Sequence, residues 1–112
     1  GGKQVRDNIH AVDVVSAFHE FHRRPRSAAV YNLGGGRASN VSMLEAIEKC
    51  QRIAGRELQF SLASDARIGD HQWYISDFSD FQREYPAWCL THEIDDVLTE
   101  IYEHNADHWA AS

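Results

Sequence analysis

The segment 29–55 constrains the fold of this chain more than any other part of the sequence. Residues 29–33 (Ala-Val-Tyr-Asn-Leu) form a short apolar run that ends at a cluster of three glycines, and this pattern predicts a buried strand. Ser42 is followed three residues later by Glu45, which is the spacing of a capping box at the start of a helix. Gly55 supplies a stop signal for that helix. The segment therefore predicts a strand, a glycine loop and a capped helix, which together are one half of a βαβ unit.

One face of this helix carries apolar residues at helical spacing, namely Met43, Ile47, Cys50 and Ala54. Because Cys50 lies on this predicted core face and the two cysteines lack metal-binding spacing, we expect a buried free thiol rather than a disulfide with Cys89. A free thiol is typical of a reducing, cytoplasmic environment.

The glycine loop matches part of the dinucleotide-binding pattern G-x-G-x-x-G. Gly34 and Gly36 occupy two of its three glycine positions, and Ser39 occupies the third. In a true fingerprint the helix starts within the glycines, so that its N-terminus faces the pyrophosphate. Here the capping box delays the helix to about Ser42. We therefore favour a simple strand-to-helix connection over a cofactor site.

Composition and charge exclude several classes of function. The chain has 112 residues, which predicts a single domain spanning 1–112, and its net charge of -6 argues against nucleic acid as the main partner. No apolar run approaches the roughly 20 residues needed to span a bilayer, so we expect no membrane partner. The chain opens with Gly-Gly-Lys-Gln and no initiator Met, which we interpret as a piece of a longer protein.

Two elements are predicted on the N-terminal side of the central segment. Residues 3–10 alternate between apolar and polar side chains, which is the weak pattern of a strand. Asp13 can cap a following helix, which must end before Pro25. The apolar stripe of this helix contains Val14, Phe18 and Phe21.

Three elements are predicted on the C-terminal side. Residues 58–62 alternate, with Leu58, Phe60 and Leu62 on one side, and predict a half-exposed strand. Asp77 with Asp80 can cap a short helix that ends at Pro86. From Thr91 onward, five apolar residues fit the stripe of a longer helix: Ile94, Val97, Leu98, Ile101 and Tyr102.

Neither the histidines nor the tyrosines point to a catalytic centre. His19 and His22 lie three residues apart on the predicted helix with His10 nearby, but two histidines on a polar helix face are typical of solvated side chains, and zinc needs three or four converging ligands. No tyrosine is followed four residues later by Lys, and no nucleophile motif is present. We therefore expect no metal site and no catalytic residue in this chain, which by itself is not a complete enzyme.

Two short polar clusters are better candidates for binding. Arg6 and Arg67 each stand where a predicted strand meets a loop. Guanidinium groups bind phosphate oxygens in bidentate fashion, so two such arginines can clamp a diphosphate. The alternative, which the residues alone favour, is that each arginine forms an ordinary surface ion pair with a nearby carboxylate, Asp7 or Asp70.

Three segments of the chain resemble motifs of the extended short-chain dehydrogenase/reductases, the NAD-dependent nucleotide-sugar epimerases and dehydratases. Residues 6–13 resemble the family's R-D-x-x-H-x-x-D segment, residues 31–36 its Y-N-[IL]-G-x-G strand, and residues 67–79 its R-x-G-D stretch followed by D-x-S. The order and spacing of all three agree with the family. The amino-acid sequences of residues 3–10 and 67–71 are most similar to the CDP-paratose/CDP-tyvelose 2-epimerase branch.

The resemblance implies an α/β fold, specifically the C-terminal part of a Rossmann-type enzyme. That part comprises a late sheet strand with its helix and a small mixed α/β substrate-binding lobe. In the family, the NAD fingerprint and the catalytic Tyr-x-x-x-Lys pair lie upstream. The resemblance therefore implies that NAD is bound by an upstream part and that this chain binds no cofactor.

The same resemblance assigns four residues to a nucleotide-diphosphate sugar. Arg6 and Arg67 correspond to the arginines on the diphosphate, and Asp70 lies near the ribose. Asn8 stands where family members often carry an aromatic residue, which leaves its contact open. The implied function is the nucleotide-sugar-binding portion of an NAD-dependent epimerase. The alternatives are a non-catalytic binding or scaffolding module, and a dehydratase or reductase of the same superfamily.

We also expect self-association. A lobe that lacks most of its sheet exposes an apolar face and a strand edge, and both promote association with further copies. The prediction is therefore a homo-oligomer.

Overall fold

Helices surround a small sheet in the computed structural model, which describes residues 1–63 and 68–111. The architecture is mixed α/β, as predicted. The elements in chain order are β1 (Val5–Asp7), α1 (Ala11–Arg23), a 3₁₀ turn (Gly36–Ser39), β2 (Asn40–Ser42), α2 (Met43–Ala54), β3 (Trp73–Tyr74), α3 (Ser79–Glu84) and α4 (Ile94–Ala110).

The sheet has the order β2-β1-β3 and is built around β1. β1 pairs with β2 in antiparallel register, which places Arg6 opposite Val41. It pairs with β3 in parallel register, which places Arg6 opposite Tyr74. The predicted strand at residues 3–10 is therefore confirmed in its central part. Because β1 is the middle strand, its polar residues lie among three chain segments that are distant in sequence.

An aromatic core, made of Ala17, Phe81, Tyr85 and Trp88, joins α1 to α3 and the loop after it. All four side chains are buried. The rings of Phe81 and Trp88 meet edge to face with centroids 5.2 Å apart, an arrangement that adds to the gain from burying apolar area. The core also fixes the loop after α3, because Trp88 Nε1 donates to the Asp13 carbonyl at 3.0 Å.

The opposite side of α1 is not covered by any described residue. Val12, Val15 and Phe18 lie on this side, three residues apart in sequence, and all three are exposed. We call these three residues the uncovered side of α1. The prediction that Phe18 shares a buried stripe with Phe21 is thus wrong for Phe18, whereas Phe21 packs against the aromatic core.

Asp13 fastens α1 to the loop before α4 instead of capping the helix. Its carboxylate is fully buried and accepts hydrogen bonds from the main chain of Thr91 at 3.1 Å and of His92 at 3.2 Å. The N-cap is His10, whose Nδ1 accepts from the Val12 main chain at 3.0 Å. A carboxylate in the first turn is favoured by the helix dipole. The predicted cap is therefore wrong by three positions, although its residue type suits the helix start.

The two ends of α2 are as predicted, but its apolar residues are less buried than predicted. Ser42 and Glu45 form the predicted capping box, and Gly55 ends the helix in the left-handed conformation at φ 65°. The expected buried thiol is wrong, because Cys50 is free but exposed, and Met43 is exposed too. α2 packs on α4, which covers only part of its apolar face.

Two predicted strands are absent from the described residues. Residues 29–33 carry no strand, and Val30 is 91% exposed. Residues 58–62 carry none either, and Leu58, Phe60 and Leu62 are exposed. A strand needs a neighbour for its main-chain hydrogen bonds, and in the described ranges neither segment has one. Both predictions are therefore wrong for the chain as it stands.

The two C-terminal helices are confirmed with small shifts. α3 begins at Ser79, and Asp77 accepts the Ser79 main-chain N–H at 2.9 Å. Asp80 does not complete a capping box, because it pairs with Arg83 at 2.8 Å. α4 begins at Ile94, after its own capping box between Glu93 and Asp96.

Within residues 1–63 and 68–111, no helix combines the length and the apolar character needed to cross a bilayer.

Candidate functional site

Two of the four predicted binding residues meet at the edge of the sheet. Arg6 on β1 donates from Nη2 to Asp70 Oδ1 at 2.8 Å, although 64 residues separate them in sequence. The second oxygen of Asp70 accepts from Gln4 Nε2 at 3.1 Å. The Arg6 and Asp70 side chains are 37% and 35% exposed. Arg6 therefore does form an ion pair, with Asp70 and not with its sequence neighbour Asp7.

Of the other two predicted residues, Asn8 does not join this pair. Arg67 lies outside the described residues. Asn8 is exposed, and its main chain is bonded twice to Ser39, through Asn8 N to the Ser39 carbonyl at 2.8 Å and from Ser39 Oγ to the Asn8 carbonyl at 2.7 Å. The chain direction just after Arg6 is thus fixed, while the Asn8 side chain faces solvent.

Asp7 holds three segments together beside Arg6, a role that the sequence prediction missed. Its Oδ2 accepts main-chain N–H bonds from Gly36 and Ser76, both at 3.0 Å. Burial by itself raises the pKa of Asp7, but the hydrogen bonds from Gly36 and Ser76 outweigh burial, so the pKa lies below the ordinary value. The ionised carboxylate thus joins β1, the glycine loop and the segment after β3.

The glycine loop does not fit the pyrophosphate of a dinucleotide. Gly34 and Gly35 are buried. A Cβ on Gly34 would collide with the side chains of Asp7 and Ser76, and one on Gly35 with the carbonyl of Asn8. A 3₁₀ turn and β2 also separate the loop from α2. The glycines are therefore explained by close contacts within the chain, and α2 is not placed to bind a phosphate as in the fingerprint.

An open cleft of about 490 Å³ lies next to this loop. Its lining includes Arg37 from the 3₁₀ turn, Trp73 from β3 and Gln82 from α3. The Asp77 carboxylate at its rim has a lowered pKa, because the Ser79 side chain and main chain donate to it. Arg6 and Asp70 do not line this cleft, so the predicted pair and the cleft are separate surfaces.

The sequence of this chain is similar to the sequences of two sugar-nucleotide epimerases. No family model matches the chain. A UDP-glucose 4-epimerase of Dictyostelium discoideum is 31% identical over 106 residues, which is 91% of this chain and 30% of that protein. UDP-arabinose 4-epimerase 1 of Arabidopsis thaliana is 32% identical over 93 residues, which is 81% of this chain and 21% of that protein.

A crystal structure of UDP-glucose 4-epimerase from Stenotrophomonas maltophila, with bound NAD and formylated UDP-arabinopyranose, has the same fold. It superposes with a TM-score of 0.81 and 29% identity over 98% of this chain and 32% of that one. The chain thus spans about a third or less of the length of these relatives. It matches the C-terminal part of Rossmann-type epimerases, which confirms the predicted fold class.

Proposed function

We propose that this chain is the nucleotide-sugar-binding part of an NAD-dependent nucleotide-sugar epimerase. The observation that carries the proposal is the similarity to sugar-nucleotide epimerases, in a chain whose Arg6 side chain on the central strand is 37% exposed. The proposal places the NAD site and the Tyr-x-x-x-Lys pair in the part of such an enzyme that this chain does not match. That part and this one then share a substrate.

Arg6 is the proposed contact to the diphosphate. A guanidinium has five N–H donors in a planar fork, and the bonds to Val5 and Asp70 use only part of this capacity. The side chain is more than a third exposed, so a phosphate can reach it. The position on the central strand holds the group in place, which reduces the side-chain entropy lost on binding.

Asp70 is the proposed contact to the ribose. A carboxylate accepts hydrogen bonds from sugar hydroxyls, and the bonds from Arg6 and Gln4 hold both of its oxygens in a defined orientation. Arg67 is proposed as the second arginine on the diphosphate. Asn8 is proposed as a further substrate contact, because it follows Arg6 by two residues and is exposed.

The finer proposal concerns the base and the reaction. We propose a CDP-sugar 2-epimerase, for which NAD, held by the part of the enzyme that this chain does not match, would supply the reversible oxidation of the sugar. The support is the resemblance of residues 3–10 and 67–71 to that branch of the family. The curated relatives are UDP-sugar 4-epimerases, so a UDP-sugar is the alternative substrate. A dehydratase would instead release a product that has lost water, and a reductase a product that has gained hydrogen, whereas an epimer keeps the composition of the substrate.

The test is calorimetric titration of the protein that carries this chain with CDP-glucose and with UDP-glucose. Arg6→Ala should weaken binding by about 1.5–3 kcal/mol, roughly 10- to 150-fold in Kd, which is the range for hydrogen bonds to charged groups. The matched control is Arg83→Ala. Arg83 pairs with Asp80 at the same 2.8 Å but lies on α3, and its loss should leave binding unchanged.

Two results would contradict the proposal. The first is unchanged affinity in Arg6→Ala, provided that circular dichroism shows a folded protein. The second is the absence of binding to either sugar nucleotide by the unmodified protein. Preference for CDP-glucose over UDP-glucose supports the finer proposal, and the opposite preference rejects it while leaving the general one intact. Binding without turnover in the presence of NAD would favour the scaffolding alternative.

A further inference from the structure

Three side chains with metal-binding atoms converge where the start of α1 meets α4. His10 precedes α1, His92 precedes α4, and Glu100 lies on α4 itself. One ligand atom from each lies within 4.8 Å of the other two, and all three residues are partly buried. We propose that His10, His92 and Glu100 form a binding site for a divalent transition-metal ion.

The ligand set is suited to such an ion. Two imidazoles and one carboxylate are a known set for zinc, with roughly 2.0–2.2 Å from the metal to each atom. In a tetrahedral site such atoms lie about 3.3 Å apart. His10 Nε2 and Glu100 Oε2 are now 2.7 Å apart, and the rings of His10 and His92 are stacked with centroids 4.2 Å apart. Binding therefore requires the pair to separate and one ring to turn its nitrogen toward the ion. The Glu100 side chain is 44% exposed, which leaves it free to move and leaves a fourth position for water.

The His92 ring is oriented by the Thr91 hydroxyl, which is itself bonded to the buried Asp13 carboxylate. Thr91 Oγ1 donates to Asp13 Oδ1 at 2.5 Å, so it can accept the Nδ1 proton of His92, 2.8 Å away. Asp13 Oδ2 also lies 3.9 Å from that nitrogen. Nδ1 therefore carries the proton, and Nε2 presents its lone pair. A ligating histidine usually donates its other ring N–H to a polar group that fixes the orientation of the ring, and the Thr91 hydroxyl takes that place here.

His10 must change its tautomer when the ion binds. Its Nδ1 accepts from the Val12 main chain at 3.0 Å, so in the neutral ring the proton is on Nε2 and is donated to Glu100. Coordination through Nε2 moves this proton to Nδ1 and breaks the bond to Val12. Metal binding thus exchanges one helix-capping hydrogen bond for a metal–nitrogen bond, and the Val12 amide reports the exchange.

The surroundings attract cations. An open cleft of about 420 Å³ includes His92 and Glu100 in its lining, together with Asp95, Asp96 and Glu103. Acidic side chains by themselves would hold Mg²⁺ or Ca²⁺ as readily, because these ions prefer oxygen ligands. The two imidazoles distinguish this site, since nitrogen ligands favour zinc and its neighbours in the periodic table.

The test is titration of the metal-free protein with ZnCl₂ alone, followed by calorimetry and by the amide NMR spectrum. We expect one ion per chain and a shifted Val12 amide. His92→Ala and Glu100→Gln should each weaken binding at least ~10-fold, the lower bound seen even for residues that only orient a ligand. His92→Ala keeps the main-chain bond from residue 92 to Asp13, and Glu100→Gln keeps the size of the side chain.

The matched control is the double variant His19→Ala/His22→Ala, which removes two other histidines near the same helix and should bind zinc as the unmodified protein does. Equal loss in this control would overturn the proposal, because it would show diffuse binding by surface histidines. Unchanged zinc affinity in both ligand variants would also overturn it. So would equally tight binding of MgCl₂, which would indicate an acidic surface only.

Discussion

Two adjacent residues of α1 differ in burial. Ala17 is 1% exposed and belongs to the aromatic core, whereas Phe18, the larger and more apolar side chain, is 68% exposed. A helix that is apolar on more than one side is expected to be buried on more than one side. Apolar character therefore shows that a side needs a partner, and it does not show which part of a protein supplies that partner.

The difference fits the proposed function. The aromatic core is closed by elements of this chain, since α3 and Trp88 come from residues 79–88. The uncovered side of α1 has no such partner in the described residues. The chain spans about 30% of the length of these relatives.

The largest expected effect is the difference in stability between two Phe→Ala variants, one in the aromatic core and one on the uncovered side of α1. Phe81→Ala removes a core ring that is 4% exposed and should lower the free energy of unfolding by about 3–5 kcal/mol. Phe18→Ala removes the same atoms from the uncovered side of α1 and should change it by less than about 0.5 kcal/mol. Urea denaturation followed by circular dichroism measures both. Similar losses in the two variants would show that the comparison is mistaken.

The next effect concerns the polar junction at Asp7. Because its pKa is lowered in the folded state, its stabilising contribution is complete above the unfolded pKa of about 3.9 and is lost as the pH falls through the lower folded value. Asp7→Asn should cost about 1.5–3 kcal/mol at pH 7. The difference between variant and unmodified protein should begin to shrink as the pH falls below the unfolded pKa of about 3.9.

Urea denaturation at a series of pH values measures the Asp7 contribution. Asp80→Asn is the control, because Asp80 only pairs with Arg83 on the surface, and such exposed pairs contribute at most about 1 kcal/mol. If Asp7→Asn kept the full difference as the pH fell well below the unfolded pKa of Asp, packing rather than the ionised carboxylate would explain its cost.

The smallest expected effect on stability is that of Phe18→Glu, which should nevertheless reduce self-association. Phe18→Glu places a charge on the uncovered side of α1, and its effect on the free energy of unfolding should stay within about 0.5 kcal/mol. Light scattering should nevertheless show less self-association than in the unmodified chain, because the apolar patch is interrupted. A chain that is already a stable monomer before the substitution would remove the predicted homo-oligomer.

Local signals in the sequence predicted local structure well. The capping box of Ser42 and Glu45 and the left-handed Gly55 fix both ends of α2, because each of these contacts spans only a few residues. α4 begins close to its predicted start for the same reason. Strands 29–33 and 58–62 were wrong, since a strand exists only where a second segment accepts its hydrogen bonds. The predicted burial of Cys50 was wrong because α4 covers only part of the apolar face of α2.

The sequence by itself determined the helices, both ends of α2 and the candidate residues Arg6 and Asp70, and the motifs around these residues indicated the superfamily. Only the tertiary structure decided what each side chain contacts. It paired Arg6 with Asp70, made Asp7 a bridge between three segments, buried Asp13 as an anchor, and brought His10 to His92 and Glu100. These contacts join residues 29 to 90 positions apart. Helical periodicity and capping act over a single turn or two, whereas such distant contacts depend on how whole elements pack.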